Sequence, residues 1–138
     1  KLFRRFAFKI VNASDLYICL DSGNGTIGSR QLEWLRDELE RKRKDNRFCI
    51  IFTHVNFFRE HHTFSASPLV DELHILIDLF YRYSIDMVIM GHDHRRSEEL
   101  FGRTHYITLD ACYDGFEYAS YLDLEINNGK LTYRFEGL

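Results

Sequence analysis

The chain has 138 residues, 45% of them hydrophobic and 15% aromatic, which is enough apolar material for the buried core of one domain. Its formal charge of -3, from 18 Lys and Arg against 21 Asp and Glu, argues against a global positive field that would hold nucleic acid or an anionic membrane. No apolar run approaches the ~20 residues of a membrane-spanning helix, and the odd cysteine count of 3 argues against a disulfide framework.

The first part of the chain predicts a hairpin followed by a helix. Residues 3–11 and 16–21 favour β-strands and flank the turn formers of 12–15. A helix is predicted over about 29–44, with charged residues along one face. Three leucines recur on the other face at helical spacing: Leu32, Leu35 and Leu39. This helix is expected to cover a core on one side only.

The middle of the chain predicts a strand, a helix and a second strand. Residues 48–52 form a continuous apolar run, and 85–90 form another that is interrupted only by Asp86, as in strands buried on both faces. A long loop over 54–66 separates the first strand from Ser67-Pro68, which predicts a helix N-terminus. This order implies a right-handed crossover between parallel strands.

The last part of the chain predicts shorter, alternating strands. The clearest pair, 121–126 and 131–135, flanks Asn127-Asn128-Gly129-Lys130, and Asn-Gly is a strong signal for a tight hairpin turn. The predicted fold class is therefore α/β, or mixed α+β, with antiparallel strands at the C-terminal end. Residues 1–138 are interpreted as one domain.

Histidines follow the two apolar strands of the middle region, as Thr53-His54 and Gly91-His92-Asp93-His94. Ligands gather outside the carboxyl ends of parallel strands, so both segments are expected to open into one crevice. His92 and His94, two residues apart, would point the same way. A lone histidine after a strand is equally well a polar loop residue, but neutral imidazoles also bind Zn, Fe, Mn or Ni. The pattern predicts a metal site with His54, His92 and His94 as ligands.

These motifs resemble those of the calcineurin-like metallophosphoesterases. Gly91-His92-Asp93-His94 is similar to the Gly-His-x-His signature of that family, and Thr53-His54-Val55-Asn56 falls where the family has a His-x-Pro element. Leu20-Asp21-Ser22 and the Gln-x-x-Trp-Leu pattern at 31–35 resemble the strand, loop and helix that often come before them. The resemblance covers residues 16–109. It implies the C-terminal half of the family's sandwich, with mixed β-sheets flanked by helices.

The resemblance also implies a chemistry. In the family two metal ions sit side by side, and it implies that His54 and His92 bind one ion while His94 binds the other. Ions such as Mn, Fe, Zn or Ni, ~3.5–4 Å apart, would clamp the oxygens of a phosphate ester and lower the pKa of a bridging water to generate hydroxide. The implied reaction is hydrolysis of phosphomonoesters or phosphodiesters.

The chain departs from the family pattern in two ways. The Asp-x-His, Gly-Asp and Gly-Asn-His-Asp/Glu elements, which supply the bridging aspartate, the ligand asparagine and the catalytic histidine, do not occur upstream of His54. We therefore interpret 1–138 as the C-terminal part of a larger domain, with the N-terminal half missing or on another chain. In addition, Val55-Asn56 replaces the usual proline, which is expected to loosen this loop.

Other polar residues are weaker candidates. His61, His62 and Arg95 are proposed to contact a substrate phosphate, with a solvated loop and a solvated Arg95-Arg96 pair as the alternatives. Four more residues are expected to be structural, exposed or at the edge of the crevice: His74, His105, Asp110 and Tyr113.

Two other functions stay open at this point. One is a mononuclear hydrolase with three histidine ligands and an open position for water. The other is a degenerate, non-catalytic domain of this fold that acts as an interaction module. If the fold is truncated, strands that normally pair or stack against the missing half would leave an edge and an apolar face in water, so self-association or pairing with the missing half is expected.

Because the upstream ligand elements are absent, we expect the 138-residue chain alone to hydrolyse p-nitrophenyl phosphate weakly or not at all. The measurement is release of p-nitrophenol with Mn, Fe, Zn or Ni added, with a metal-free sample as the control. Robust, metal-dependent hydrolysis by this chain would contradict the expectation.

Overall fold

A computed structural model of the chain describes residues 7–58, 70–113 and 119–138. Its secondary-structure elements, in chain order, are β1 (Phe8–Asn12), β2 (Asp15–Cys19), α1 (Ser29–Lys42), a 3-10 turn (Arg43–Asp45), β3 (Phe48–Phe52), α2 (Val70–Arg82), β4 (Met87–Met90), β5 (Ser97–Phe101), β6 (Thr104–Thr108), β7 (Ser120–Asn127) and β8 (Lys130–Gly137). Among these residues, no helix is long and apolar enough to cross a membrane.

Six of the strands form one mixed sheet in the order β1-β2-β3-β4-β6-β5. The four inner strands are parallel, while β1 and β5 pair with them antiparallel at the two edges. Strands β7 and β8 form a separate antiparallel hairpin. The mixed α+β prediction is confirmed. The parallel inner strands also place the carboxyl ends of β2, β3 and β4 at one end of the sheet.

The six-stranded sheet has a hydrophobic core on each face. On one face α1 and α2 pack against it, with Leu39 and Phe80 fully buried. On the other face the β7–β8 hairpin packs against strand residues that include Ile107. Neighbouring residues of β3 serve different cores, because Ile51 belongs to the helical core and Ile50 to the hairpin core. This two-sided burial explains the unbroken apolar runs of β3 and β4.

Both predicted hairpins are present. The turn between β7 and β8 consists of Asn128 and Gly129, both with positive φ, at 49° and 75°. Positive φ at both central residues is the geometry of a type I′ turn, which explains the preference for Asn-Gly. Strands β1 and β2 pair around a turn at Ala13, with the register of Asn12 opposite Asp15.

One predicted helix boundary differs from the structure because of a local contact, and another lies outside the described residues. Helix α1 ends two residues before the predicted position, and the chain continues as the 3-10 turn. Asn46 accounts for this end, because its side-chain amide donates to the carbonyl of Lys42 at 2.6 Å and thereby satisfies a free helix carbonyl. The helix start predicted at Ser67-Pro68 lies outside the described residues.

Ion pairs fix the amino ends of the parallel strands. The carboxylate of Asp15 on β2 accepts two hydrogen bonds from the guanidinium of Arg47, at 3.1 and 2.7 Å, and one from the first backbone N–H of β3. Asp86, just before β4, pairs with Arg43 at 2.9 Å and accepts the second N–H of β3 at 2.8 Å. Each carboxylate therefore joins a neighbouring strand to the start of β3.

Acid should weaken the Asp15 contacts. Hydrogen bonds and charge from Arg47 lower the pKa of the Asp15 carboxyl below its ordinary value. An aspartate titrates at about 3.9 in an unfolded chain, so the stability from this carboxylate is present above about pH 4 and is lost as the pH falls through the lowered folded-state pKa. We expect Asp15→Asn to lower the free energy of unfolding at pH 7 and to flatten its dependence on pH below about 4.

Urea unfolding at a series of pH values from about 2.5 to 7, which bracket the ordinary pKa of aspartate, measures this dependence. Asp37→Asn is the control, because Asp37 forms an exposed pair with Arg41 within α1. Equal pH dependence in the Asp15 variant and the unmodified chain would contradict the prediction.

Candidate metal site

Two of the three predicted ligands meet at the carboxyl end of the sheet. His54 follows β3 and His92 follows β4, and these strands are parallel neighbours. The Nε2 atom of His54 lies 2.9 Å from the Nδ1 atom of His92. The two rings are perpendicular, with centroids 4.9 Å apart. Either nitrogen can donate the hydrogen bond, because the donor depends on which tautomer each ring adopts.

This geometry fits two ligands of one metal ion. Two nitrogens that each lie about 2.0–2.1 Å from one ion are about 2.9 Å apart at the ~90° angle of an octahedral site, and about 3.3 Å apart at the tetrahedral angle that zinc prefers. The separation of His54 Nε2 and His92 Nδ1 is 2.9 Å. His54 is exposed and His92 half-buried, so an ion could reach the pair from solvent. The chemistry of the donors and their spacing therefore suit a transition metal.

Ser22 holds the backbone where His54 leaves β3. Its side chain is 2% exposed, and its Oγ accepts hydrogen bonds from the N–H groups of His54 at 2.9 Å and Val55 at 3.1 Å. The same oxygen lies 2.7 Å from Oγ1 of Thr53. The sequence indicated Ser22 only through the resemblance of Leu20-Asp21-Ser22 to the family. Its position just beyond β2, next to the end of β3, is the signal that could have identified it as a site residue.

The turn after β4 is tight and strained at His92. The backbone N–H of Asp93 donates to the carbonyl of Gly91 at 3.0 Å, and His92 between them has a φ of 75°. A hydrogen bond across three residues with such a φ is a γ-turn of the rare, strained kind. The residue in the left-handed region is thus His92 and not Gly91. Backbone strain of this kind concentrates at functional sites.

Gly91 joins the two strand exits through its backbone. Its N–H donates to the carbonyl of His54 at 3.1 Å, which brings the two exits together. A Cβ atom added at Gly91 would lie 3.7 Å from that carbonyl oxygen, an ordinary contact distance. The close approach of the two turns therefore does not depend on the absence of a side chain at this position.

A second contact joins the two histidine turns. Asn56 is 6% exposed, and its Nδ2 donates to Oδ2 of Asp93 at 2.8 Å. Its Oδ1 accepts the backbone N–H of Phe58 at 2.9 Å. Asparagine in place of the family's usual proline is expected to loosen this loop, and that stays a prediction. In the structure both ends of the amide are bonded, and the first turn is tied to the second.

The third predicted ligand, His94, is exposed, as His54 is, and its backbone has a φ of 52°. Within the described stretches of the chain, no group of three or more His, Cys, Asp and Glu side chains is arranged to hold a metal ion. Ligation by His54, His92 and His94 therefore stays a prediction, with the first two already side by side.

Of the polar residues near His94, Arg95 is exposed, whereas Arg96 and Asp110 make contacts with the β7–β8 hairpin. Arg95 is exposed beside the histidine turn. The guanidinium of Arg96 lies over the ring of Phe135, 4.5 Å from its centroid. The carboxylate of Asp110 accepts the N–H of Arg96 and the hydroxyl of Ser120, both at 2.7 Å. Asp110 therefore joins the histidine turn to β7, and both of its oxygens are used in doing so.

The remaining candidates lie away from the histidine pair or outside the description. His74 is exposed on α2, and His105 is exposed on β6 with its ring 6.3 Å from that of Tyr133. Tyr113 is 65% exposed. His61-His62 lies outside the described residues, so its proposed contact with substrate stays a prediction.

Comparison with known families gives the class of this protein. Residues 5–96, which include His54, His92 and His94, match the calcineurin-like phosphoesterase family. The chain belongs to that family, as its motifs indicated, and members of the family usually bind divalent metals. No curated protein matches the chain significantly in sequence.

Comparison with solved structures gives three matches at low sequence identity, and the first of them supports the fold. GAP50 of Plasmodium, described as the anchor in the inner membrane complex, has a TM-score of 0.57 and 15% identity, over 76% of this chain and 36% of its own. A putative 5'-nucleotidase from Staphylococcus aureus has a TM-score of 0.49 and 20% identity, over 74% of this chain and 23% of its own. A predicted phosphoesterase from Streptococcus pneumoniae has a TM-score of 0.37 and 11% identity, over 86% and 87%. The chain thus spans 36% and 23% of the first two proteins.

Ser22→Ala should destabilise the chain. Removal of the hydroxyl leaves the buried N–H of Val55 and the N–H of His54 without this acceptor, and each buried donor left unpaired costs about 1–3 kcal/mol. We expect the free energy of unfolding to fall by about 1–3 kcal/mol, measured by urea denaturation. Ser29→Ala, at an exposed position, is the matched control. Equal stability of both variants would show that the Ser22 contacts contribute nothing.

Proposed function

We propose that this chain supplies part of the metal site of a phosphoesterase that hydrolyses phosphomonoesters or phosphodiesters. One observation carries the proposal: His54 and His92 present ring nitrogens 2.9 Å apart at the carboxyl ends of two neighbouring parallel strands. Membership of the calcineurin-like phosphoesterase family supports the reaction class.

The three histidines and Arg95 have different proposed roles. His54 and His92 would hold one ion, and His94 would contribute to a second ion that also needs ligands from outside this chain. The metals proposed are Mn, Fe, Zn or Ni, which all accept imidazole. When bound, such ions supply Lewis-acid chemistry that favours attack of water on phosphorus. Arg95, which is exposed just after His94, would donate to phosphate oxygens, because a guanidinium can do so with two parallel bonds.

A complete dinuclear site needs more than the described residues supply. No three-ligand group is present among them, and the Asp-x-His and Gly-Asn-His elements do not occur upstream of His54. We therefore propose that the remaining ligands come from a further segment or another chain. The mononuclear alternative differs in stoichiometry, because it requires one tightly bound ion per chain together with hydrolysis.

A second candidate function is an interaction module, and the observation that favours it is the exposed edge strand β1. Three of its apolar side chains, Phe8, Ile10 and Val11, are 49–53% exposed. Lys9 pairs with Glu38 of α1, so Phe8 and Ile10 face the opposite side, that of the β7–β8 hairpin. We propose that this edge pairs with a second copy of the chain, or with the segment that completes the metal site.

Metal binding tests the main proposal. We expect the chain to bind Mn²⁺ or Zn²⁺ in isothermal titration calorimetry, and His54→Ala and His92→Ala each to weaken binding at least about tenfold, because each removes one of two adjacent donors. His105→Ala is the matched control, since His105 is an exposed histidine on β6. Equal affinity in all four proteins, or no metal uptake by the unmodified chain, would contradict the proposal.

Sedimentation velocity tests the proposed pairing of β1. We expect the chain to self-associate at micromolar concentration and Ile10→Lys to shift it towards monomer, because a charged side chain on an exposed strand edge opposes pairing. Leu100→Lys is the control, at a 64% exposed position on the opposite edge strand β5. A clean monomer for the unmodified chain, or an equal effect of both substitutions, would count against pairing through β1.

A further inference from the structure

The side chain of Asn56 spans the two turns that carry the paired histidines. Asn56 lies two residues after His54, and Asp93 directly follows His92. The Asn56–Asp93 hydrogen bond of 2.8 Å therefore joins segments that are 37 residues apart in the chain. With 6% of Asn56 exposed, water competes little for its amide.

The Asn56–Asp93 bond restrains a part of the two turns that the backbone hydrogen bonds of the region do not reach. Two backbone bonds fix the strand exits: the N–H of Thr53, before His54, donates to the carbonyl of Ile89 at 2.9 Å, and the N–H of Gly91, before His92, donates to the carbonyl of His54 at 3.1 Å. The side-chain bond fixes the chain on the far side of His54 and His92. Each histidine is thus held between two contacts that cross from one turn to the other. A hydrogen bond to a carboxylate is also stronger than one between neutral groups.

We propose that Asn56 is a positioning residue, which holds the two turns in register so that His54 and His92 present their nitrogens to one ion before it arrives. This inference rests on the proposed function for its role in metal binding. It assigns a purpose to the asparagine at the position where the family usually has proline. Proline has no side-chain donor, so the Asn56–Asp93 bond is a feature of this chain's own sequence.

The expected size of the effect follows from preorganisation. If the bond is removed, the ion must order the two turns as it binds, and that ordering lowers its affinity. Loss of residues that orient metal ligands typically weakens metal binding about 10–100-fold. We expect Asn56→Ala and Asp93→Ala each to weaken Zn²⁺ binding by a factor in this range. Asp93→Asn keeps an oxygen acceptor and should retain most of the affinity.

A double-mutant cycle separates a shared bond from two independent effects. We expect Asn56→Ala combined with Asp93→Ala to bind Zn²⁺ no more weakly than the worse single variant, because each single variant already removes the bond between the two turns. Asn46→Ala is the matched control. Asn46 is 8% exposed and donates to the carbonyl of Lys42 beyond the amino end of β3. It should lower thermal stability and leave the affinity unchanged.

A metal-free measurement keeps this inference separate from the proposed function. ¹⁵N NMR of the imidazoles reports the hydrogen bond between His54 and His92 in the apo chain. We expect Asn56→Ala to change these nitrogen shifts and Asp93→Asn and Asn46→Ala to preserve them. If the unmodified chain binds no Zn²⁺, the proposed function fails, but the shifts still test the positioning role. Unchanged shifts in Asn56→Ala, or equal losses of affinity in Asn56→Ala and Asn46→Ala, would overturn the inference.

Discussion

The parallel pairing of β3 with β4 is the constraint on which the candidate site depends. The register sets Ile50 opposite Met87 and Phe52 opposite Ile89, so the two strands end at nearly the same height. Their ladder continues past the strand ends, through the bond from Thr53 to Ile89 and the bond from Gly91 to His54. A shift of one residue in either strand would move its side chains from one core to the other, for example Ile50 into the helical core and Ile51 into the hairpin core, and would disrupt the packing of both. Hydrophobic burial therefore fixes the distance between the histidines.

The fold was largely predictable from the sequence because its signals are local. The apolar run of 48–52 indicated a strand covered on both faces, and Asn128-Gly129 indicated the last hairpin from the left-handed φ that its turn requires. The end of α1 was less predictable, because it depends on one side-chain bond from Asn46. The order of the strands in the sheet follows from contacts between distant segments, which periodicity does not report.

The site was predictable only in part, because some of its contacts join segments that are distant in the sequence. Histidines at strand ends could be identified because each lies next to a recognisable apolar run. The residues that hold them could not, since Ser22 contacts the segment after β3 and Asn56 contacts Asp93, in each case across more than 30 positions of sequence. The departure from proline at Asn56 predicts only a looser loop, and no local pattern indicates that the asparagine bonds to Asp93. A motif names the residue types, whereas the tertiary contacts decide whether the motif is rigid.

The two ends of the parallel strands differ in what they contribute. At the amino ends, the Asp15–Arg47 and Arg43–Asp86 pairs bind the start of β3. At the carboxyl ends, His54 is exposed and His92 has a strained backbone. Substitution of His54 thus removes little packing, whereas substitution of Asp15 or Asp86 at the opposite end disconnects strands. Such a division gives the scaffold mutational robustness, because new ligand sets can arise at one end during divergence while the other end preserves the architecture.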